Sequence, residues 1–582
     1  MKILQNISDR MNILDRHPRR CMWSVTAFAV IYYLLVSLQG IDFADEGFSL
    51  TFYQNIYTHP ADVEYLFLYY LTGLIGGAWE LLMGWLGTYG YRILFALTSG
   101  GIVLTTFAIL KPYFRTSTIV IGTLASILWP GLCLYYFNHD CLTILLFLLT
   151  IYAMMQGLQE KKAAWYVMGF ILIINSFTRL PNIALCLLIL VPLIEANQSG
   201  NYYKAGQNIM RIVAGMIIGS LLMLLIMYLL RHLDLWLSSV VSLLVMSGDS
   251  SDTHGIKNLI GSYSYTYKAI FTSTLYGVLV CFTYIIATEH IKIKGNKLIV
   301  GIICIALFYM LLERNIYAMW GAVTSAAIIY AFINRKDGNN LILALSALVA
   351  LIVIPLGGDS YANICNSCMW LGMPMLIDLI RRPIKCNINI DDYHNCNYRF
   401  TIDNTVSRDI HIITATAFIL YVATHSVCYF DNGSRMLKTH RPQIATVATT
   451  YTSQERARLI DQITTVTLKH RMPGNYLLVF DNAPMLHYLT GMQPYLGSPW
   501  STFWGTEMFK QQLFNAEHSS RQLPLIAIPR FFYQDLSKTD YLNAIEHPEL
   551  HKKALLLVDF IERNGYYEVY RDEYIILLKV PQ

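Results

Sequence analysis

The stretch Ile41-Asp42-Phe43-Ala44-Asp45-Glu46-Gly47-Phe48 sets two aspartates and a glutamate where the first long apolar run, residues 22–39, gives out. Carboxylates are among the groups that hydrocarbon tolerates least, so three of them at the mouth of a membrane span require an aqueous cavity or a partner. Acids at a helix exit also simply face water, and position alone does not separate these readings. Beside a wet cavity, such a carboxylate can take the proton from an attacking hydroxyl or amine. Further polar residues stand at the ends of later apolar runs: His59 before Pro60, Arg92 at the start of 91–110, Asp140 before 141–157, Arg179 after 163–177, and Arg314 beside Glu313. A guanidinium binds two phosphate oxygens at once, which makes Arg92 the first candidate clamp. The same residue at a span end also snorkels to the interface without any ligand. Asp249, Asp252 and His254 have spacing that could ligate a divalent metal, but they lie among Ser, Gly and Thr and read better as a polar loop.

The elements that must position these groups follow from composition. Of 582 residues, 55% are hydrophobic and 14% charged, too little polar surface to cover a soluble globule. The chain reads as an integral membrane protein. Its net charge of +5 is small, and the basic residues gather at the ends of apolar runs, as bilayer orientation requires and nucleic-acid binding does not. Eleven cysteines are scattered outside residues 431–582, which contain none, so no disulfide framework is indicated for the tail. Cys365 and Cys368 read as packed helix residues rather than a redox pair.

At about 20 apolar residues per crossing, the chain up to residue 430 offers about thirteen spans, including 22–39 as an uncleaved first helix. Loops rich in Lys and Arg alternate with poorer ones, from Arg19 and Arg20 through Lys161 and Lys162 to Arg381 and Arg382. That alternation places the N-terminus in the cytoplasm and the acidic stretch, with the tail 431–582, on the outer side. Residues 41–88 form a long first outer loop, in which 63–86, interrupted by Gly73, Gly76 and Gly77, read as helices lying in the interface. The tail has apolar runs at 475–480 and 554–558 expected as buried strands, helical spacing over 453–471, and a strand pair at 566–570 and 574–578. Together these make a compact α/β domain.

Asp45-Glu46, His59-Pro60, Arg92 and Asp140, in that order, and the tail segment from Ala483-Pro484 to Gln493-Pro494, carry a resemblance. The arrangement resembles the GT-C fold of polyprenyl-phosphate-sugar glycosyltransferases, the group that includes protein O-mannosyltransferases and lipid A aminoarabinose transferase. The likeness covers the first two hundred residues best. It implies a polytopic α-helical GT-C-like domain over 1–430, an extracytoplasmic α/β domain over 431–582, and a place in a bacterial inner membrane. It further implies an inverting transfer of sugar from a polyprenyl-phosphate donor to a lipid, glycan or protein acceptor, with Asp45 as base. Glu46 would orient Asp45 or bind substrate; Asp140 would hold acceptor or sugar. Arg92, and more weakly Arg179, Arg314 and His59, would contact phosphate or acceptor. Some members of the group need a divalent metal and those nearest in pattern do not, so a metal stays open. Membrane lipids surround the chain and nucleic acid is no partner. A transporter or flippase of lipid-linked sugar, or a non-catalytic glycolipid-binding relative, would also need a polar cavity.

Overall fold

The computed structural model describes residues 12–130, 134–248, 256–290, 296–314, 317–356, 367–382, 386–391, 397–402, 404–425, 427–530 and 548–581. An apolar helix, α1 (Pro18–Val36), leads into the acidic turn, α2 (Asp45–Asn55), a 3-10 segment (Pro60–Tyr69) and α3 (Tyr70–Met83). Then come α4 (Thr88–Leu110), α5 (Thr116–Leu128), α6 (His139–Leu158) and α7 (Lys162–Thr178), and further apolar helices continue to Asn404–Thr424. Among the described residues, seven helical stretches are long and apolar enough to cross a membrane. An eighth arises if Lys297–Arg314 and Tyr317–Ile333, bent by 103°, are one broken span. The molecule is a multi-pass membrane protein. The helix Tyr202–Leu229 shows the pattern in small: Ile217, Leu221 and Leu225 lie more than half exposed on one stripe, while Ile212, Met223 and Met227 are buried on another.

The expected count of about thirteen is higher because several apolar runs form short helices. α5 has 13 residues, Gly338–Ile352 has 15 and α7 has 17. At 1.5 Å per residue these rise roughly 20–25 Å, less than the ~30 Å of hydrocarbon.

Residues 63–86, expected as helices lying in the interface, are helical and packed against α2. They belong to Pro60–Leu86, itself one of the seven long stretches and half buried. The glycines read as interruptions are contact points: a Cβ on Gly73 would sit 2.2 Å from the Phe52 ring, and one on Gly76 would sit 2.4 Å from the Tyr53 ring. Their absence of side chain lets α3 press on α2.

The tail is α/β, as expected, with a five-stranded sheet in the order β4-β3-β5-β7-β6. These strands are β3 (Tyr476–Val479), β4 (Gln493–Pro494), β5 (Leu525–Pro529), β6 (Tyr567–Arg571) and β7 (Ile575–Lys579); a hairpin of β1 (Cys386–Asp391) and β2 (Asn397–Ile402) precedes the tail. β3 pairs parallel with β4 and β5, and β7 antiparallel with β5 and β6. The expected helix appears as Gln454–Lys469. Residues 554–558, expected as a strand, lie instead within the helix Pro548–Arg563. The physical reason is its burial period: Ala554, Leu557 and Phe560 are fully buried at three-residue spacing, while Leu555 is 47% exposed. The tail and residues 41–88 share one apolar core, in which Phe43, Leu50 and Phe67 join Leu478, Phe480 and Leu486.

Candidate active site

The acidic turn begins with Asp42, which is buried. Its Oδ1 accepts from the Ala44 N–H at 2.8 Å and its Oδ2 from the Glu46 N–H at 2.9 Å, closing the turn that starts α2. Asp45 and Glu46 then occupy the first turn of α2, where the helix dipole favours negative charge. Burial, and after it the neighbouring Asp45, push the Asp42 carboxyl well above the usual carboxylate range. An Asp42 that keeps its proton removes one like charge from beside Asp45.

Glu46 is 1% exposed and Arg92, in the first turns of α4, is 4% exposed. Arg92 Nε donates to Glu46 Oε1 at 2.9 Å and Nη2 donates to Oε2 at 2.7 Å, a bidentate pair. The same guanidinium donates from Nη1 to the Ser37 carbonyl at 2.6 Å and from Nη2 to the Gly40 carbonyl at 2.7 Å. Arg92 is therefore spent on protein in this arrangement, where the sequence reading made it a phosphate clamp. A buried cation takes the nearest buried carboxylate and the carbonyls left without helical partners at the α1 end before any ligand arrives. Its work is to hold the end of α1, the acidic turn and α4 in one register.

Asp45 is half-buried, and its Oδ2 accepts from the Tyr429 hydroxyl at 2.6 Å. Tyr136, buried in the loop before α6, has its hydroxyl pushed well above the ordinary tyrosine range by burial and then by Asp45 and Asp42. Its hydroxyl keeps its proton near those acids. Asp42, Glu46, Arg92, Tyr136, Tyr429 and Arg435 line one cavity, and Asp45 reaches it through Tyr429 rather than lining it.

Asp140 is not part of that lining. It is the second residue of α6, whose N-terminus is capped by Asn138 Oδ1, which accepts from the N–H groups of Asp140 and Cys141 at 3.1 and 3.0 Å. Its Oδ1 lies 3.5 Å from His139 Nε2 and takes no hydrogen bond among the described residues. The His139 ring is 4.4 Å from Tyr69, and Tyr69 meets Phe48 of α2 at 6.4 Å, so Asp140 joins α2 through an aromatic wall. The other sequence candidates do not converge. His59 is exposed at the far end of α2, roughly 15 Å along the helix from Asp45. Arg179 is buried and caps the end of another helix, donating to the Ile354 and Leu356 carbonyls at 2.7 and 2.8 Å. Arg314 is exposed at the end of its helix. Asp249, Asp252 and His254 lie outside the described residues, among which no group of three His, Cys, Asp or Glu side chains is placed to hold a metal ion.

The chain's structural neighbours include ArnT. Two crystal structures of ArnT from Cupriavidus metallidurans, one bound to undecaprenyl phosphate and one in the apo state, align at TM-score 0.42 and 11% sequence identity. The alignments cover 95% of this chain and 97% and 96% of those chains. No family model and no curated protein matches the chain.

The tail holds the acidic turn from outside, which the sequence reading missed. Asp431 Oδ2 accepts from the Ile41 N–H at 3.0 Å and from the Thr452 hydroxyl at 2.6 Å, while Oδ1 pairs with Lys438 Nζ at 2.7 Å, both side chains 1% exposed. Arg456 donates to the Ile41 carbonyl at 2.8 Å and stacks over Phe43 at 4.9 Å. These partners are hundreds of residues away along the chain and carry no periodic signal; only Asp431-Asn432-Gly433, a turn directly after the last apolar run, marks the place.

The tail segment that carried part of the resemblance docks on α2. Met485 N–H donates to the Phe43 carbonyl at 2.9 Å, and a Cβ on Gly47 would lie 2.2 Å from Met485 N. Backbone cannot yield as a flexible side chain can, so Gly47→Ala is expected to destabilise this docking by about 1–3 kcal/mol. Faster limited proteolysis of the tail, with the membrane helices intact, is the measurement.

His487 in the same segment is buried and donates from Nδ1 to the Met492 carbonyl at 3.2 Å. Burial pushes its pKa down from 6.5 to about 4. The unfolded chain then binds the extra proton between those values, so stability is complete above about pH 6.5 and falls as pH drops towards 4. The loss amounts to about 3 kcal/mol. Melting compared at pH 7 and pH 5 should show about 2 kcal/mol of it, and His487→Gln should flatten that slope.

Proposed function

We propose that this chain is an inverting glycosyltransferase that moves a sugar from a polyprenyl-phosphate carrier to a lipid, glycan or protein acceptor on the outer face of a bacterial inner membrane. In this reading residues 1–430 are a GT-C-like catalytic domain with a cytoplasmic N-terminus, and 431–582 an extracytoplasmic α/β domain. The observation that carries it is Asp45: a half-buried carboxylate oriented by the Tyr429 hydroxyl, beside the cavity that Asp42, Glu46 and Arg92 line at the end of α1.

The acceptor hydroxyl or amine attacks the anomeric carbon, a new bond forms there, and the carbon–oxygen bond to phosphate breaks with its electron pair leaving on the phosphate. Asp45 takes the acceptor proton. Attack from the face opposite the leaving phosphate inverts the anomeric centre. Glu46 and Arg92 fix the turn that aims Asp45, and Asp42 and Tyr136 keep protons beside it. In this reading Asp140, whose Oδ1 no described donor satisfies, takes a hydroxyl of acceptor or sugar.

Radiolabelled polyprenyl-phosphate sugar supplied with acceptor extract in detergent tests the reading, because no membrane sides exist there. A transferase moves the label off its lipid; a flippase leaves the donor intact. Intact donor after prolonged incubation with folded protein would count against transfer. Lipid extracts of cells with and without the gene would then identify sugar and acceptor.

A further inference from the structure

With Arg92 committed to Glu46, the cavity needs another cation if a phosphate is to enter it. Arg435 lines the same cavity as Asp42, Glu46 and Tyr429. Its Nη1 donates to the Val36 carbonyl at 2.7 Å and, at 3.5 Å, to Gln39 Oε1; its Nη2 donates to the Val427 carbonyl at 2.9 Å. The guanidinium lies over the Tyr135 ring at 5.8 Å. Every one of these partners is neutral, and no carboxylate lies within ion-pair distance of Arg435 among the described residues. Its Nε is buried and takes no hydrogen bond. The other buried cations nearby differ: Arg92 has Glu46 and Lys438 has Asp431. A half-buried cation without a counter-charge, with a donor left over and a place in the cavity lining, has the chemistry to take an anion.

We infer that Arg435 binds the phosphate of the lipid carrier, placing that charge next to the acidic turn. The inference rests on the donor assigned under Proposed function and deepens it. A guanidinium suits the task because it presents Nε–H and Nη–H to two phosphate oxygens, and burial strengthens the pairing. Its position at the junction of the last apolar helix and the tail also gives the docking of the tail on the acidic turn a purpose: it sets Arg435 in the cavity whose Tyr429 hydroxyl holds Asp45. The capping of α1 through the Val36 carbonyl is a structural role that the same side chain performs.

The experiment measures binding by full-length protein in detergent of undecaprenyl phosphate, undecaprenol and inorganic phosphate, each alone, for wild type, Arg435→Gln, Arg435→Lys and the exposed tail control Arg563→Gln. The expected result is undecaprenyl phosphate binding weakened about 10- to 100-fold in Arg435→Gln, partly retained in Arg435→Lys and unchanged in Arg563→Gln. Undecaprenol binding should not move, which a purely structural role for Arg435 would not produce. Equal binding of undecaprenyl phosphate by Arg435→Gln and wild type overturns the inference, as does equal loss of phosphate and alcohol. Inorganic phosphate binding more tightly than the lipid phosphate would assign Arg435 to a free anion and overturn the carrier assignment. Folded wild type that binds no undecaprenyl phosphate defeats the donor reading itself, a different failure from an insensitive Arg435.

Discussion

Replacing Asp45 by Asn is expected to slow sugar transfer by about 10²- to 10⁴-fold, the usual contribution of a positioned general base. The fold should survive, because Asn keeps the shape and an oxygen that can still accept from the Tyr429 hydroxyl. Stability serves as a control on the chemistry: Asp45 raises the proton affinity of the buried Asp42, so neutralising it removes a repulsion. Donor binding should persist too, since Arg435 and the cavity walls are untouched. Single-turnover transfer in detergent, with donor affinity measured on the same preparation, separates the two steps. Transfer at the wild-type rate would remove Asp45 from the mechanism.

Local features of the chain were legible because local physics makes them. Apolar runs read as membrane helices, the tail strands at 475–480, 566–570 and 574–578 matched β3, β6 and β7 closely, and the acidic turn stood out as charge where charge is costly. The failures share one cause, which is that partners distant in sequence decide them. Arg92 could be placed at a helix start, but not given its partner Glu46, 46 residues earlier. Ile41 and Asp431 meet across 390 residues, and nothing in either segment announces the other. Gly73 and Gly76 looked like breaks because a glycine's neighbour across a helix interface is invisible in one dimension. The run 554–558 is five residues long, too short for strand and helix periods to diverge.

Arg92→Met is expected to cost about 3–5 kcal/mol of stability, since it strands a buried carboxylate without its cation. Glu46 has 1% exposure, and the Ser37 and Gly40 carbonyls lose their donors at the same time. Arg92→Lys keeps the charge but not the fork, and should fall between. The double variant Arg92→Met with Glu46→Leu separates folding from positioning. It replaces a buried ion pair by apolar side chains of similar bulk, an exchange that is often neutral, so thermal unfolding in detergent should return towards wild type. Transfer should remain low, because the bidentate pair and the weaker Asp42 N–H to Glu46 contact at 3.4 Å, which hold the first turn of α2 against α4, are gone. A double variant both stable and fully active would mean that the pair serves folding alone. A single Arg92→Met protein as stable as wild type would mean that Glu46 finds another partner, and that Arg92 does not organise the acidic turn.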